Sequence, residues 1–538
     1  SREVPMVQAD STPSGTQVRA PWPGSHEMPR WSLGELPDAP VFQWGKLWQY
    51  LGPGLLMGGA AIGGGEWLTG PQVTAKYGGG LLWLATLSIL GQILYNIEIS
   101  RYTLYSGEPI FTGKFRTLPG PRFWVWIYLL LDFGTAFPYL AASAAVPVAM
   151  LMKGGVVPDP AKDALLIKGL SLGILLLCML PMVFGGKIYN SLKVLMTFKV
   201  VTVMGFLLFL ALFFSQPETW VEILSGFFKF GNIPTGNGNE VRNALADLLA
   251  GRSLPTFDVK MMGLLSALVA ISGQGGLSNT PISNYTRDQG WGMGSHVGAI
   301  PSLVGGQNIE LSHEGTVFIP DAQSLPRWRA WVGHLVRDQL FVWGPACFFG
   351  LALPSMLSVQ FLPRGTEIAN KWEAPVMTSS GVAEAVGASL GANIGEFFRY
   401  FTLFCGFLVL APSMASTIDG FVRRWVDVFW TASPRLRAMD ASHIGRLYFS
   451  VLGLYAVIAL FMLAVIPEPG TLLKIAGFVY NFALGFSCWH VLFINTRLLP
   501  QPLRPNLLSQ VALVLTGVYF WAVGLLGAYA TLSELKWL

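Results

Sequence analysis

Charged side chains are scarce in this chain. Only 12% of the 538 residues are Asp, Glu, Lys or Arg, whereas 52% are hydrophobic, and the mean hydropathy is +0.50. A soluble globular protein carries about 25% charged residues. The composition therefore predicts an integral membrane protein in contact with the lipid bilayer. The net charge of +5 does not indicate nucleic acid, because the basic residues lie mainly between apolar segments, as membrane orientation signals do.

Cysteine is also scarce, and the spacings typical of catalytic or metal sites are missing. The four cysteines lie inside apolar segments without CxxC or another metal-ligand spacing, which favours a packing role. The glycine-rich stretches at 290–294 and 304–306 lack the lysine of a phosphate-binding loop. We therefore expect no cofactor, no nucleotide site and no enzymatic activity.

Long apolar segments are abundant. Each is long enough to cross a hydrocarbon core of about 30 Å, and together they predict eleven transmembrane helices at 48–72, 79–106, 122–152, 164–184, 188–215, 258–285, 328–356, 390–420, 446–466, 470–495 and 506–532. Basic residues, Lys114 and Arg116 among them, then fall in the inner loops. This bias predicts a cytoplasmic N-terminus and an outer C-terminus in a bacterial-type inner membrane.

Three segments lie outside these spans. Residues 1–46 are rich in Pro, Gly, Ser and charge and show no hydrophobic periodicity, which is typical of a cytoplasmic tail that lies outside the membrane. Such a tail can lie on the protein's own inner loops or on a partner subunit, and the sequence leaves both open. The loops 216–257, on the outer side, and 286–327, on the inner side, are longer than ordinary connections.

Two apolar segments are interrupted by glycine. The first, at 51–70, is broken at Gly63, Gly64 and Gly65, and Glu66 follows directly. The second, at 264–282, is broken at 273–276. Unwound backbone at membrane depth persists only where it is buried in protein or lines a wet cavity. Paired interruptions of this kind are typical of the substrate site of a secondary transporter.

The first segment, LGPGLLMGGAAI, resembles the opening helix of the NRAMP (natural resistance-associated macrophage protein) family of proton-coupled divalent metal transporters. Residues 101–107, FGGKIYNSLKVL at 184–195 and ASTIDG at 415–420 resemble further parts of that family, and the similarity covers about 47–530. The resemblance implies an all-α LeuT-type fold. Helices 1–5 in residues 47–215 and helices 6–10 in residues 258–495 would form an inverted repeat, and residues 496–538 would hold an eleventh helix.

The chain departs from the family at the metal site. Gly63 and Glu66 occupy the positions of the family's metal-binding Asp and Asn, while Gly273 and Gly275 replace its Met and His. The thioether that suits softer metals is thus missing. Asn481 falls where the family has a Gln near the substrate. The resemblance and the two interruptions together give these candidate substrate-binding residues: Gly63, Gly65, Glu66, Ser272, Gly273, Gln274, Gly275 and Asn481.

Oxygen ligands remain on Glu66, Gln274 and the free carbonyls of both interruptions. They suit a hard cation that keeps its waters, and hydrated Mg²⁺ is the leading hypothesis, with the Glu66 carboxylate facing Gln274 across a mid-membrane cavity. A polar organic solute is the alternative, because the glycines would leave a larger cavity. A transport-inactive scaffold or receptor in a larger complex is the third hypothesis.

The proton pathway of the family is only half present. Asp132 resembles the Asp of the family's third-helix Asp-Leu-Ala-Glu pattern, but Thr135 takes the place of the Glu. Arg446 resembles an arginine that pairs with that Asp in the family. Asp132 and Arg446 are therefore candidates either for carrying a proton or for bracing two helices.

We predict that Mn²⁺, Fe²⁺ and Cd²⁺ bind poorly, because the family's thioether and one of its carboxylates are glycine here. Isothermal titration calorimetry on the purified protein measures this directly. Micromolar affinity for Cd²⁺ that survives Glu66→Gln would contradict the prediction.

Overall fold

A computed structural model describes most of the chain. The described residues are 9–12, 15–21, 24, 26–41, 53–63, 65–184, 188–236, 238–297, 314–367, 373, 375–438, 444–466 and 468–536. Gly64 of the first interruption and residues 304–306 of the long inner loop lie outside them.

Helices make up most of the described structure. The α-helices are Pro53–Ala61, Gly70–Tyr77, Trp83–Ser106, Ile110–Arg116, Pro121–Leu131, Tyr139–Met152, Ala164–Phe184, Ile188–Phe214, Pro217–Gly226, Ala244–Leu249, Met262–Ile271, Pro281–Asp288, Gly294–Val297, Ser324–Asp338, Gly344–Phe361, Met377–Leu390, Ala392–Ala432, Pro434–Arg437, Ile444–Val465, Pro469–Arg497 and Leu507–Glu534. Short π-helices lie at Gly65–Thr69 and Gln339–Trp343, and 3₁₀ turns at Gly78–Leu81, Asp132–Ala136, Val259–Met261 and Gln501–Leu503.

Helices occupy each of the predicted membrane spans within the described residues. Eight helices of the described residues are long and apolar enough to cross a membrane, and Pro53–Leu81 passes the same test together with Trp83–Ser106. The predicted sixth span consists of two short helices, Met262–Ile271 and Pro281–Asp288, separated by residues 272–280. The first and sixth spans are therefore interrupted, as the sequence predicted.

The backbone conformation differs between the two interruptions. In the first, the helix Pro53–Ala61 ends and a π-helical turn, Gly65–Thr69, leads into Gly70–Tyr77. In the second, Gly273, Gly275 and Gly276 have φ values of +118°, +74° and +57°. Only glycine adopts these values without strain, which explains the sequence GQGG. We call residues 62–65 the first break and residues 272–280 the second break.

Lys114 and Arg116, which the sequence places between the second and third spans, lie on a short helix that packs against the bundle. Both side chains are buried within the helix Ile110–Arg116. Arg116 forms an ion pair with Glu108 at 2.5 Å, and Lys114 Nζ donates to Ser487 Oγ at 2.6 Å. Packing against the bundle, rather than contact with lipid headgroups, therefore fixes these two cations.

The described part of residues 1–46 contains regular structure. Strands β1 (Ala9–Thr12), β2 (Gly15–Val18) and β3 (Trp31–Leu33) pair antiparallel in sequence order, and β3 pairs in parallel with Thr316–Val317 of the long inner loop. A separate hairpin in the loop 216–257 joins Asn232–Pro234 to Val241–Asn243. The described tail therefore folds onto the protein's own loop 286–327.

Residues 31–38, which we call the strap, continue this contact. Trp31 is 1% exposed and packs edge-on against Tyr105, with ring centroids 5.8 Å apart. Arg327 Nη1 lies 2.6 Å from Glu35 Oε1, and Trp331 Nε1 donates to the Pro37 carbonyl at 2.8 Å. Of the two supports left open by the sequence, the structure shows the protein's own loops and helices.

We predict that Trp31→Ala releases the strap, because truncating a buried aromatic side chain costs about 3–5 kcal/mol. Hydrogen exchange should show faster exchange across residues 15–38 while the membrane-spanning helices stay protected.

Trp126→Ala is the matched control, since Trp126 is 74% exposed and its loss should leave exchange in the strap unchanged. Equal effects of the two substitutions would contradict the anchoring role of Trp31.

Candidate functional site

Glu66 joins the two breaks. It lies in the first turn of the π-helix Gly65–Thr69 and is 1% exposed. Its Oε2 accepts a hydrogen bond from Gly63 N at 2.9 Å, and its Oε1 accepts one from Gly273 N at 3.3 Å. Both donors are peptide groups that lost their helical partners where the helices stop, so one carboxylate satisfies unwound backbone from both halves of the chain.

Gln274 does not face Glu66, contrary to the expectation from the sequence. Its side-chain Nε2 donates to the Met57 carbonyl, and its backbone N donates to Gln92 Oε1 at 3.0 Å. The physical reason is that the N–H of Gly273 has no helical partner and itself donates to the Glu66 carboxylate. Gln274 instead links the second break to the helix Pro53–Ala61, which precedes the first break.

A cavity of about 50 Å³ lies between the breaks, enough for roughly three or four water molecules. Glu66 is not among the described residues that line it, so the expectation of this carboxylate at the cavity wall is wrong. The two glycines that Glu66 holds do line it. The described residues that line it are Met57, Ala60, Ala61, Gly63, Tyr139, Leu140, Ile271, Gly273, Gln274, Ser278, Pro281, Tyr285, Ser413, Ser416, Thr417, Gly420 and Arg424.

The glycines of the breaks do not leave the larger cavity that the sequence suggested. A Cβ on Gly63 would lie 3.0 Å from Ser413 Oγ, one on Gly273 would lie 2.9 Å from Gln92 Oε1, and one on Gly275 would lie 3.1 Å from the Tyr480 ring. These neighbours close in because unwound peptide groups need hydrogen-bond partners and packing. The space freed by the missing side chains is thus filled by protein.

Two further candidates are turned away from the cavity. Ser272 Oγ donates to the Leu268 carbonyl at 2.5 Å, within its own helix. Asn481 Nδ2 donates to Ser266 O and Ser266 Oγ, both at 2.9 Å, which is a hydrogen bond between two helices. Neither residue is among the described residues that line the cavity.

Asp132 pairs with Arg424, not with Arg446. Arg424 Nη2 lies 2.7 Å from Asp132 Oδ2, Trp425 Nε1 donates to the same oxygen at 2.6 Å, and Thr135 Oγ1 donates to Oδ1 at 2.8 Å. Arg446 is exposed, whereas Asp132 and Arg424 are both buried, so the buried carboxylate takes the buried arginine as its partner. Because Arg424 also lines the cavity, this ion pair adjoins the candidate site.

A network of side-chain amides, which the sequence analysis missed, supports the second break. Gln92 Nε2 donates to the Ser272 carbonyl at 3.0 Å, while its Oε1 accepts from Gln274 N at 3.0 Å and from Asn279 Nδ2 at 3.2 Å. Asn279 Nδ2 also donates to Asn96 Oδ1 at 2.8 Å. The signal was present in the sequence, since Gln92 and Asn96 are four residues apart and share one face of an apolar helix.

Lys199 was missed as well. It is 0% exposed in the helix Ile188–Phe214, and its Nζ donates to the Ile62 carbonyl and to Ser413 Oγ, both at 2.8 Å. A lysine well inside a long apolar segment is itself a sequence signal for a functional site. The described residues hold no group of three or more His, Cys, Asp or Glu side chains that suits a metal ion.

We predict that Gln92→Leu destabilises the protein, because it removes the partners of three backbone or amide groups at the second break. Each buried polar group left without a partner costs about 1–3 kcal/mol. Thermal unfolding in detergent measures the loss.

Gln510→Leu is the control, since Gln510 Nε2 makes one hydrogen bond, to the Pro505 carbonyl at 2.9 Å, far from the breaks in sequence. A melting temperature of Gln92→Leu equal to that of Gln510→Leu would show that the amide network does not hold the break.

Comparison with known proteins identifies the fold. No family model matches the chain. An uncharacterized protein of Pasteurella multocida (strain Pm70) is 32% identical over 143 residues, which is 25% of this chain and 30% of that protein. The match thus spans less than a third of that relative.

Two solved structures of mutants of the Eremococcus coleocola manganese transporter match with TM-scores of 0.59 and 0.58, at 14% identity over 94% of this chain and 91% of theirs. At this identity the likeness concerns the fold alone. The predicted fold is confirmed: the chain is a mostly helical, multi-pass integral membrane protein of the LeuT type with interrupted first and sixth helices, and the strands of the tail and loops are additions to it.

Proposed function

We propose that the protein is a secondary transporter that moves a small polar solute through the cavity between the two breaks by alternating access. The observation that carries the proposal is the position of this cavity. Its lining includes Gly63 from the first break and Gly273 from the second, which belong to the two proposed repeats, 47–215 and 258–495. A site at the interface of two repeats can open to either side when one repeat rocks against the other.

The lining favours a neutral polar organic solute of a few non-hydrogen atoms. Arg424 is the one charged side chain among the described lining residues, and Asp132 neutralises it. The other polar groups are the hydroxyls of Tyr139, Tyr285, Ser278, Ser413, Ser416 and Thr417 and the amide of Gln274. Hydroxyl and amide groups both donate and accept hydrogen bonds, so they suit a solute with both kinds of group.

A hard cation such as hydrated Mg²⁺ is the second candidate. One observation favours it: the Glu66 carboxylate stands directly behind Gly63 and Gly273, the glycines that face the cavity. The cavity size weighs against the fully hydrated ion, because Mg²⁺ keeps several of its waters and about 50 Å³ holds roughly three or four.

By the basic-residue bias of the loops, we place the strap on the cytoplasmic side and the C-terminus outside. The third hypothesis, a transport-inactive scaffold in a larger complex, makes a different prediction for access to the cavity. A scaffold needs no alternation, so its cavity would open to one side at most.

Ser416 lies in the cavity wall. We predict that the variant Ser416→Cys reacts with a membrane-impermeant thiol reagent from either side of the membrane. The measurement compares labelling in right-side-out and inside-out vesicles, in a background in which Cys178, Cys347, Cys405 and Cys488 are replaced by alanine.

Ser266→Cys is the control, because Ser266 is 0% exposed and bonded to Asn481, and it should stay unlabelled from both sides. Labelling of Ser416→Cys from one side only, under every condition, would refute alternating access and favour the scaffold hypothesis.

The same cysteine distinguishes the two substrate classes. Slower labelling in the presence of small neutral solutes such as urea, acetamide or glycerol, but not of MgCl₂, is the expected result. Protection by MgCl₂ that Glu66→Gln abolishes and Glu66→Asp partly retains would assign the site to the cation instead.

A further inference from the structure

Lys199 is a buried lysine inside one of the long apolar helices. It lies within the helix Ile188–Phe214, and at 1.5 Å per residue it is about 16 Å from one helix end and about 22 Å from the other. A lysine side chain is too short to cover either distance. Ionisable groups at this depth are costly, and they mark ion or substrate pathways in membrane proteins.

The amino group sits among oxygen atoms released by the first break. Lys199 Nζ donates to the Ile62 carbonyl and to Ser413 Oγ, each at 2.8 Å, and Ser413 Oγ lies 3.2 Å from the same carbonyl. The Ile62 carbonyl directly follows the end of the helix Pro53–Ala61. Ser413 belongs to the helix Ala392–Ala432, so the ammonium joins the first break to the eighth predicted span.

A single peptide group connects this ammonium to Glu66. The Ile62 carbonyl accepts from Lys199, and the N–H of the same peptide, that of Gly63, donates to Glu66 Oε2 at 2.9 Å. The negative end of the peptide dipole faces the cation, and the positive end faces the anion. Two buried charges of opposite sign are thus balanced through the backbone of the break.

We propose that the ε-ammonium of Lys199 is a tethered cation that fills a monovalent-cation site between the first break and Ser413. In secondary transporters with interrupted helices, unwound carbonyls coordinate the coupling Na⁺ or H⁺. Here the Lys199 ammonium binds such a carbonyl, that of Ile62, and the Ser413 hydroxyl. The consequence for coupling rests on the proposed function: transport requires no free Na⁺ or K⁺ at this site.

Removing the Lys199 ammonium should allow a free monovalent cation to bind in its place. Lys199→Ala leaves the Ile62 carbonyl, the Ser413 hydroxyl and the charge of Glu66 in place, and the adjoining cavity, which Ser413 lines, supplies water. A small cation that binds the folded state alone stabilises it by mass action. The variant should therefore acquire a dependence on sodium that the parent protein lacks.

The test is thermal unfolding of the purified protein in NaCl and in choline chloride at equal ionic strength, which needs no transport activity. The melting temperature of the parent protein should be the same in both salts. That of Lys199→Ala should be lower in choline and should rise in sodium by about 2 °C or more. Adding Ser413→Ala should abolish the rise, and Lys199→Arg, which keeps a cation, should show none.

Lys114→Ala is the matched control. Lys114 is also 0% exposed and donates to a serine hydroxyl, Ser487 Oγ, at 2.6 Å, but it lies outside both breaks. Its loss should destabilise the protein equally in both salts. A sodium effect of the same size on the parent protein or on Lys114→Ala, or none on Lys199→Ala, overturns the proposal.

Failure of Lys199→Ala to fold is also decisive. If the variant yields no folded protein in sodium while Glu66→Gln combined with Lys199→Ala does fold, sodium does not replace the ammonium and the proposal is wrong. Because these readouts concern ion binding alone, they stand apart from the labelling experiment that tests transport.

Discussion

Peptide groups at membrane depth must find hydrogen-bond partners within the protein, and the rest of this structure depends on how the two breaks meet that demand. Water is absent from the hydrocarbon region, so each unpaired N–H or C=O there is costly. The partners differ in chemistry: Glu66 takes the N–H groups, Lys199 takes a carbonyl, and Gln92 takes both kinds. Each break is therefore held by side chains from other helices and is not a loose hinge.

Charge inside the bundle is arranged in compensating sets. Asp132 and Arg424 neutralise each other directly, with Trp425 supplying a further hydrogen bond. Glu66 and Lys199 bind opposite ends of one peptide group, the N–H of Gly63 and the carbonyl of Ile62. Burying an unpaired charge would cost far more than either arrangement. The result is a cavity whose walls are polar and nearly neutral, which is the physical basis for favouring a neutral solute over a metal ion.

The sequence predicted the helices and both breaks because their signals are local: hydrophobic runs define the spans, and GGG and GQGG define the interruptions. It did not predict which groups meet across the bundle. Arg424 rather than Arg446 pairs with Asp132, and Gly273 rather than Gln274 meets Glu66, since these choices depend on the packing of distant helices. The filling of the glycine positions by Gln92 and Tyr480 was hidden for the same reason.

The strap is fastened to both proposed repeats on one face of the molecule. Trp31 packs on Tyr105 of the first, and Arg327 and Trp331 of the second bind residues Glu35 and Pro37. Two bodies clamped together at one end rotate about that end when they move. In the proposed alternating-access cycle the strap would therefore act as a pivot: small shifts beside it would correspond to larger displacements at the opposite face, so the two entrances to the cavity would open by different amounts.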